Sequence, residues 1–112
     1  MSKTIFGKII SGDLPSIKLY ESDNVLAIKD VSPKAPVHIL IMPKKEYKSL
    51  QDVPVADLPV IAEIVEVAQK LARELGVEDN YRFLTNNGTK AGQSVFHLHF
   101  HLIGGKELGP MA

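Results

Sequence analysis

The sequence has no cysteine, so it can form neither a disulfide nor a thiolate site. It has no excess of either charge: thirteen Lys and Arg balance thirteen Asp and Glu, for a formal net charge of +0. That removes any electrostatic argument for a nucleic-acid polymer or an anionic membrane as partner, both of which favour basic patches. A local site for one small anion is still compatible with it. No stretch approaches the roughly 18 consecutive apolar residues of a membrane span. The N-terminus, MSKTIFGKII, has neither the apolar core nor the small-residue cleavage site of a secretory leader. A soluble cytoplasmic protein is expected. Histidine is scarce as well, with four in the chain, yet three of them fall within VFHLHFHLIGG (95–105).

A chain of 112 residues with 45% hydrophobic content is expected to form one globular domain, 1–112. Thr4 predicts the cap of a short helix through about residue 11, with Ile5, Phe6, Ile9 and Ile10 on its apolar side and Gly12 ending it. Residues 17–21 and 25–29 read as a hairpin around Ser22 to Asn24. The two prolines of DVSPKAP (30–36) mark a loop. Residues 37–42 are apolar and rich in β-branching, and predict a central strand stopped by Pro43. Residues 44–54 are polar and irregular, with room for one helical turn.

Residues 55–75 predict the one long helix, with Asp57 as its cap and Pro59 in its first turn. Leu58, Ile61, Val65, Ala68, Ala72 and Leu75 form a stripe that Ile64, Val67 and Leu71 widen. That width suits a well-buried helix or one with a second buried surface, such as a dimer contact. Residues 81–85 and 94–103 predict two further strands, the last broken by Gly104 and Gly105. The elements define an α+β domain: an antiparallel sheet of about five strands, one long helix and a short N-terminal helix.

On a strand, alternate side chains point to opposite faces. His97, His99 and His101 would share one face, and Phe96, Leu98, Phe100 and Leu102 the other, against the long helix. The apolar set is core. Three imidazoles in register call for another reason. A lone one would read as a hydrogen-bonded, half-buried histidine. A zinc site could use His-x-His with His38 from the neighbouring apolar strand, but the sequence offers no cysteine and no clear carboxylate beside them.

A third reading, set ahead of the metal site, is a nucleophile. A neutral imidazole whose other nitrogen holds the proton, fixed by a backbone carbonyl, can attack phosphorus. Flanking histidines then donate to the leaving group or to phosphate oxygens. The upstream NNGTKAGQS loop fits, because its glycines can turn backbone N–H groups toward an anion.

HLHFHLI (97–103) resembles the His-φ-His-φ-His-φ-φ signature of the histidine triad (HIT) superfamily. TIFGKIISGDLP, DVSPKAPVHILIMPKK, YRFLTNNGTKAGQSVFHLHFHLIGG and LGPM resemble its nucleotide-binding branch, known as Hint. The resemblance implies a HIT-like fold whose sheet continues across a homodimer. It implies binding of purine mononucleotides such as AMP and hydrolysis of nucleoside 5′-phosphoramidates, with no metal and no cofactor.

By position, it implies His99 as the nucleophile and His101 at the phosphate and leaving group. His97 and His38 would support them. Asn86, Gly92, Gln93 and Ser94 would contact phosphate, and Asp30 would hold the ribose. Ile5, Phe6, Ile9, Ile28, Val31 and Leu40 would form the base slot. The tail with Leu108, Gly109 and Pro110 is similar to bacterial members, whereas animal members carry Trp-Pro-Pro. A binding module with vestigial turnover is the rival from another class.

Overall fold

The computed structural model describes residues 3–111; Met1, Ser2 and Ala112, the ends of the expected 1–112 domain, lie outside the described residues. Helix α1 spans Ile5–Ile10, with the Thr4 hydroxyl accepting from the Gly7 N–H at 3.0 Å. Gly12 then turns the chain at a φ of 87°, a left-handed conformation that suits glycine. Strands β1 (Lys18–Glu21) and β2 (Val25–Lys29) form the expected hairpin, and β3 (Val37–Pro43) follows the proline loop. Pro43 does not stop β3 short but ends it from within, opposite Val25.

Helix α2 spans Pro59–Glu74 and starts later than expected, because Val55–Asp57 forms a separate 3₁₀ turn. Asp57 is therefore not the cap. Its carboxylate instead accepts from Lys45 at 3.0 Å and from the Tyr47 hydroxyl at 2.7 Å. Pro59 at the first helical position lacks an N–H, so one of the donors a cap would satisfy is absent. The buried stripe of α2 centres on Ile64, Val67, Ala68, Leu71 and Ala72; Leu58, Val65 and Leu75 at its margins stay exposed.

Strand β4 (Tyr81–Leu84) and strand β5 (Phe100–Gly104) complete the sheet, whose order among the described residues is β1-β2-β3-β5-β4, antiparallel throughout. Gly104 is the last residue of β5, not a break, and the chain turns at Gly105 with a φ of 91°.

The pleat sorts the side chains onto two faces. Val25, Ala27, Ile39, Ile41, Phe100 and Leu102 pack under α2. Leu26, Ile28, Leu40 and Met42 pack under α1 through Phe6 and Ile9. Both faces are thus covered, and the site lies on the α1 face. No helix among the described residues is long and apolar enough to cross a membrane.

Candidate active site

The β3–β5 register places Leu40 opposite His101 and His38 opposite Ile103. His38 and His101 are therefore diagonal neighbours on the α1 face, with ring centroids 5.2 Å apart. His97 and His99 precede β5. The expected strand over 94–103 is a strand only from Phe100, for a physical reason. The β3–β5 pairing ends at Ile41 and Phe100: β3 goes on only through Met42 to Pro43, which has no N–H to offer.

Residues 94–99 find other partners. The Leu98 N–H donates to the Tyr47 carbonyl at 2.7 Å, and the Thr85 hydroxyl donates to the His99 carbonyl at 2.6 Å. The alternation survives this from His97 onward. Leu98 packs under α2, and the Phe6 ring meets His99 and His97 edge-on with centroids 4.7 and 6.3 Å away. Phe96 breaks it. Expected in the core, it is 38% exposed with the Lys48 ammonium 5.6 Å from its ring centroid.

The partners of the four histidines fix their tautomers. His99 Nδ1–H donates to the His97 carbonyl at 2.8 Å, which leaves a lone pair on Nε2. The Lys34 N–H donates to His38 Nδ1 at 3.0 Å, so the proton of neutral His38 is on Nε2. That Nε2–H donates to His101 Nδ1 at 2.9 Å, with an Asp30 oxygen 3.3 Å from the same nitrogen. Neutral His101 must then carry its own proton on Nε2. His97 Nε2–H donates to the Pro43 carbonyl at 2.8 Å. His97 Nδ1 is buried without a hydrogen bond, and the nearest carboxylate oxygen, on Glu46, is 4.0 Å away.

Burial keeps these rings neutral. It lowers His38, His97 and His99 below the ordinary histidine value, because desolvation penalises the cation. His101 is pushed down to about 4, by burial first and then by its neighbours His99 and His38. At neutral pH the pair at the site is thus one imidazole offering a lone pair, His99, and one offering an N–H, His101. Their centroids are 5.2 Å apart.

A cavity of about 360 Å³ opens beside them. Ile5, Phe6, Ile9, Ile28, Val31 and Leu40, all expected around a base, line it together with Asp30, Ser94, His99 and His101. Val31 is 96% exposed, which puts it at the rim. Leu14, Pro15, Lys29 and Val95 line it too. No local signal in the sequence marks these four: Pro15 reads only as a turn marker and Val95 as strand.

Three of the four expected phosphate contacts are not brought to the cavity. The N–H groups of Ala91, Gly92 and Gln93 are taken by the Gly88 and Thr89 carbonyls, closing a 3₁₀ turn over Thr89–Ala91 in place of the expected anion-binding concavity. Asn86 packs beside Gly92, and the Gln93 side chain turns inward. Gly92 is needed for its backbone, at a φ of 102°.

Asp30, His38 and His101 bring three potential ligand atoms within 4.8 Å of one another, so the sequence reading that no carboxylate lies beside the histidines is corrected. The hydrogen bonding opposes a metal there. A neutral histidine bound through Nε2 must carry its proton on Nδ1 and donate it to an acceptor. His38 Nδ1 faces a backbone N–H, which is a donor. The cluster is wired as a hydrogen-bond relay.

Comparison with known proteins agrees with this architecture. A family model described as HIT domain matches residues 11–108. The chain belongs to this family. It is 48% identical over 109 residues to a HIT-like protein of Chlamydia pneumoniae, covering 97% of this chain and 99% of that one. It is 43% identical over 110 residues to the purine nucleoside phosphoramidase of Escherichia coli, covering 97% of this chain and 92% of the relative. A solved structure of a HIT family hydrolase from Clostridium thermocellum superposes with a TM-score of 0.93 at 44% identity, covering 99% of this chain and 97% of that one.

Proposed function

We propose that this chain is a purine nucleoside phosphoramidase, a hydrolase that cleaves the P–N bond of nucleoside 5′-phosphoramidates through a nucleotidyl-His99 intermediate. The observation that carries the proposal is the pairing of tautomers: a lone pair on His99 Nε2 beside an N–H on His101, at the polar end of an apolar cavity.

In this reading the base lies between Ile5, Phe6, Ile9, Ile28, Val31 and Leu40, and Asp30 accepts from the ribose hydroxyls. Ser94 and His101 donate to phosphate oxygens. His99 Nε2 forms a bond to phosphorus as the P–N bond breaks. The electron pair leaves on the amine nitrogen, which takes a proton from water at the mouth. Water then attacks phosphorus, AMP departs, and His99 regains its lone pair. Covalent catalysis of this kind divides one displacement into two.

His101 serves as a hydrogen-bond donor through its Nε2–H, toward the phosphate and the leaving-group side. His38 holds His101 in that tautomer, and His97 supplies the carbonyl that holds His99 in the opposite one. Asn86, Gly92 and Gln93 act through the shape of the loop. The reaction uses no metal or cofactor.

The proposal includes a homodimer whose sheets join. An edge strand, β4, exposed Val65 on α2 and exposed Leu58 just ahead of it support that part. A cytoplasmic setting is part of the same reading.

The test is hydrolysis of an adenosine 5′-phosphoramidate in excess EDTA. Metal-independent turnover is expected. No turnover with AMP still bound would favour the binding module, and turnover that needs zinc would favour a metal.

A further inference from the structure

We infer that Gln93 is a positioning residue: its buried carboxamide holds residues 94–97 where the His97 carbonyl locks the nucleophile's proton on Nδ1. The inference rests on the proposed role of His99. Gln93 is only 5% exposed, and its amide is fully used. Its Oε1 accepts from the Gly88 N–H at 2.8 Å, and its Nε2 donates to the carbonyls of Lys48 at 2.6 Å and Val95 at 3.1 Å. One side chain thereby joins the glycine loop, the 44–48 segment after β3 and the start of the histidine segment.

That junction matters because residues 94–99 have no ladder to hold them. Three of the attachments that hold them, one from Gln93 just ahead of them, run to the segment that begins at Pro43: His97 Nε2–H to Pro43, Leu98 N–H to Tyr47, and Gln93 to Lys48; at the far end the Thr85 hydroxyl holds the His99 carbonyl. The histidine bond cannot be altered without altering the triad, and the Leu98 bond is backbone. Gln93 is the side chain outside the triad that ties down the start of the histidine segment, as Thr85 ties down its end. If its bonds are lost, residues 94–97 can shift and the His97 carbonyl moves from His99 Nδ1. The His99 proton is then free to occupy Nε2, which removes the nucleophilic lone pair. The Gly88 N–H and the Lys48 and Val95 carbonyls left without this partner favour such a shift.

The test compares wild type with Gln93→Met, which keeps the length and removes the hydrogen bonds. Nitrogen-15 ring shifts report the His99 tautomer, alongside kcat, KM and adenosine affinity. The expected result is loss of the pure Nδ1–H signature and a fall in kcat of about 10- to 100-fold, as for an ångström-scale misplacement. Adenosine affinity should stay nearly unchanged, because the apolar slot is built from other residues.

An unaltered His99 signature with nearly unaltered kcat would overturn the inference. If Gln93→Met does not fold, Gln93→Asn replaces it. Its shorter amide cannot span both carbonyls, so a smaller loss in the same two readouts supports the inference and no loss overturns it. If wild type shows no turnover, the reaction proposal fails, and the ring shifts alone decide the role of Gln93.

Discussion

His99 and His101 are the same residue type, two positions apart, yet they present opposite chemistry to the cavity. The difference comes from their partners: a carbonyl takes the Nδ1 proton of His99, and an N–H from His38 occupies Nδ1 of His101. Replacing His99 with Ala should lower turnover by about 10⁴-fold or more while AMP binding survives. Single-turnover kinetics and equilibrium dialysis check the two halves of that statement. Replacing His38 with Phe keeps an aromatic ring but removes the donor. His101 can then change tautomer, and kcat should fall by about 10- to 100-fold. An unchanged kcat in that variant would remove the relay from the account.

The pH profile belongs to the same scale. The rate needs neutral His99, whose folded pKa burial has lowered. Activity should hold through neutrality and fall on acidification, with a midpoint below the ordinary histidine value of 6.5. A midpoint above that value would mean that His99 is not the titrating nucleophile.

At the scale of elements, α1 closes the site as much as it packs the core. Phe6 covers His99, and Ile5 and Ile9 line the cavity. Its cap is one hydroxyl bond from Thr4. Thr4→Ala should cost about 1 kcal/mol of stability and raise KM more than it lowers kcat, as steady-state kinetics on the variant would show. Equal effects on both would argue that α1 has no role in binding.

The sequence made α1, the hairpin and β3 legible, because caps, turn residues and β-branched runs act locally. It placed Leu98, Phe100 and Leu102 toward α2 because alternation survives even where pairing stops. It could not show where pairing stops. The start of β5 depends on what β3 offers across the ladder, and Phe96, outside it, turned out to solvent. The carboxylate beside His38 was hidden for the same kind of reason. Asp30 and His101 are far apart in the chain and meet only through the β2–β3–β5 order. Gln93 looked like a phosphate contact because nothing local reveals that its amide turns inward to Lys48.

For the whole molecule, four buried or half-buried neutral histidines make folding sensitive to acid. His101 titrates near 6.5 in the unfolded chain and near 4 in the folded one. Between those values the unfolded chain binds more protons, so stability is fully present above about 6.5 and is lost as pH falls toward 4. His38, His97 and His99 shift in the same direction. Thermal unfolding should therefore show Tm falling from about pH 6.5 downward, with a shallower fall in His101→Gln. A flat Tm across that range would mean the histidines are not held neutral by the fold.

The most direct measurement is to mix enzyme with an adenosine 5′-phosphoramidate in EDTA, quench in alkali, where phosphorylated histidine survives, and map the peptides by mass spectrometry. One adenylyl group on His99, appearing and decaying at rates that match turnover, is the predicted result. Turnover with no adenylylated histidine, or with the group on His97 or His101, would contradict the account.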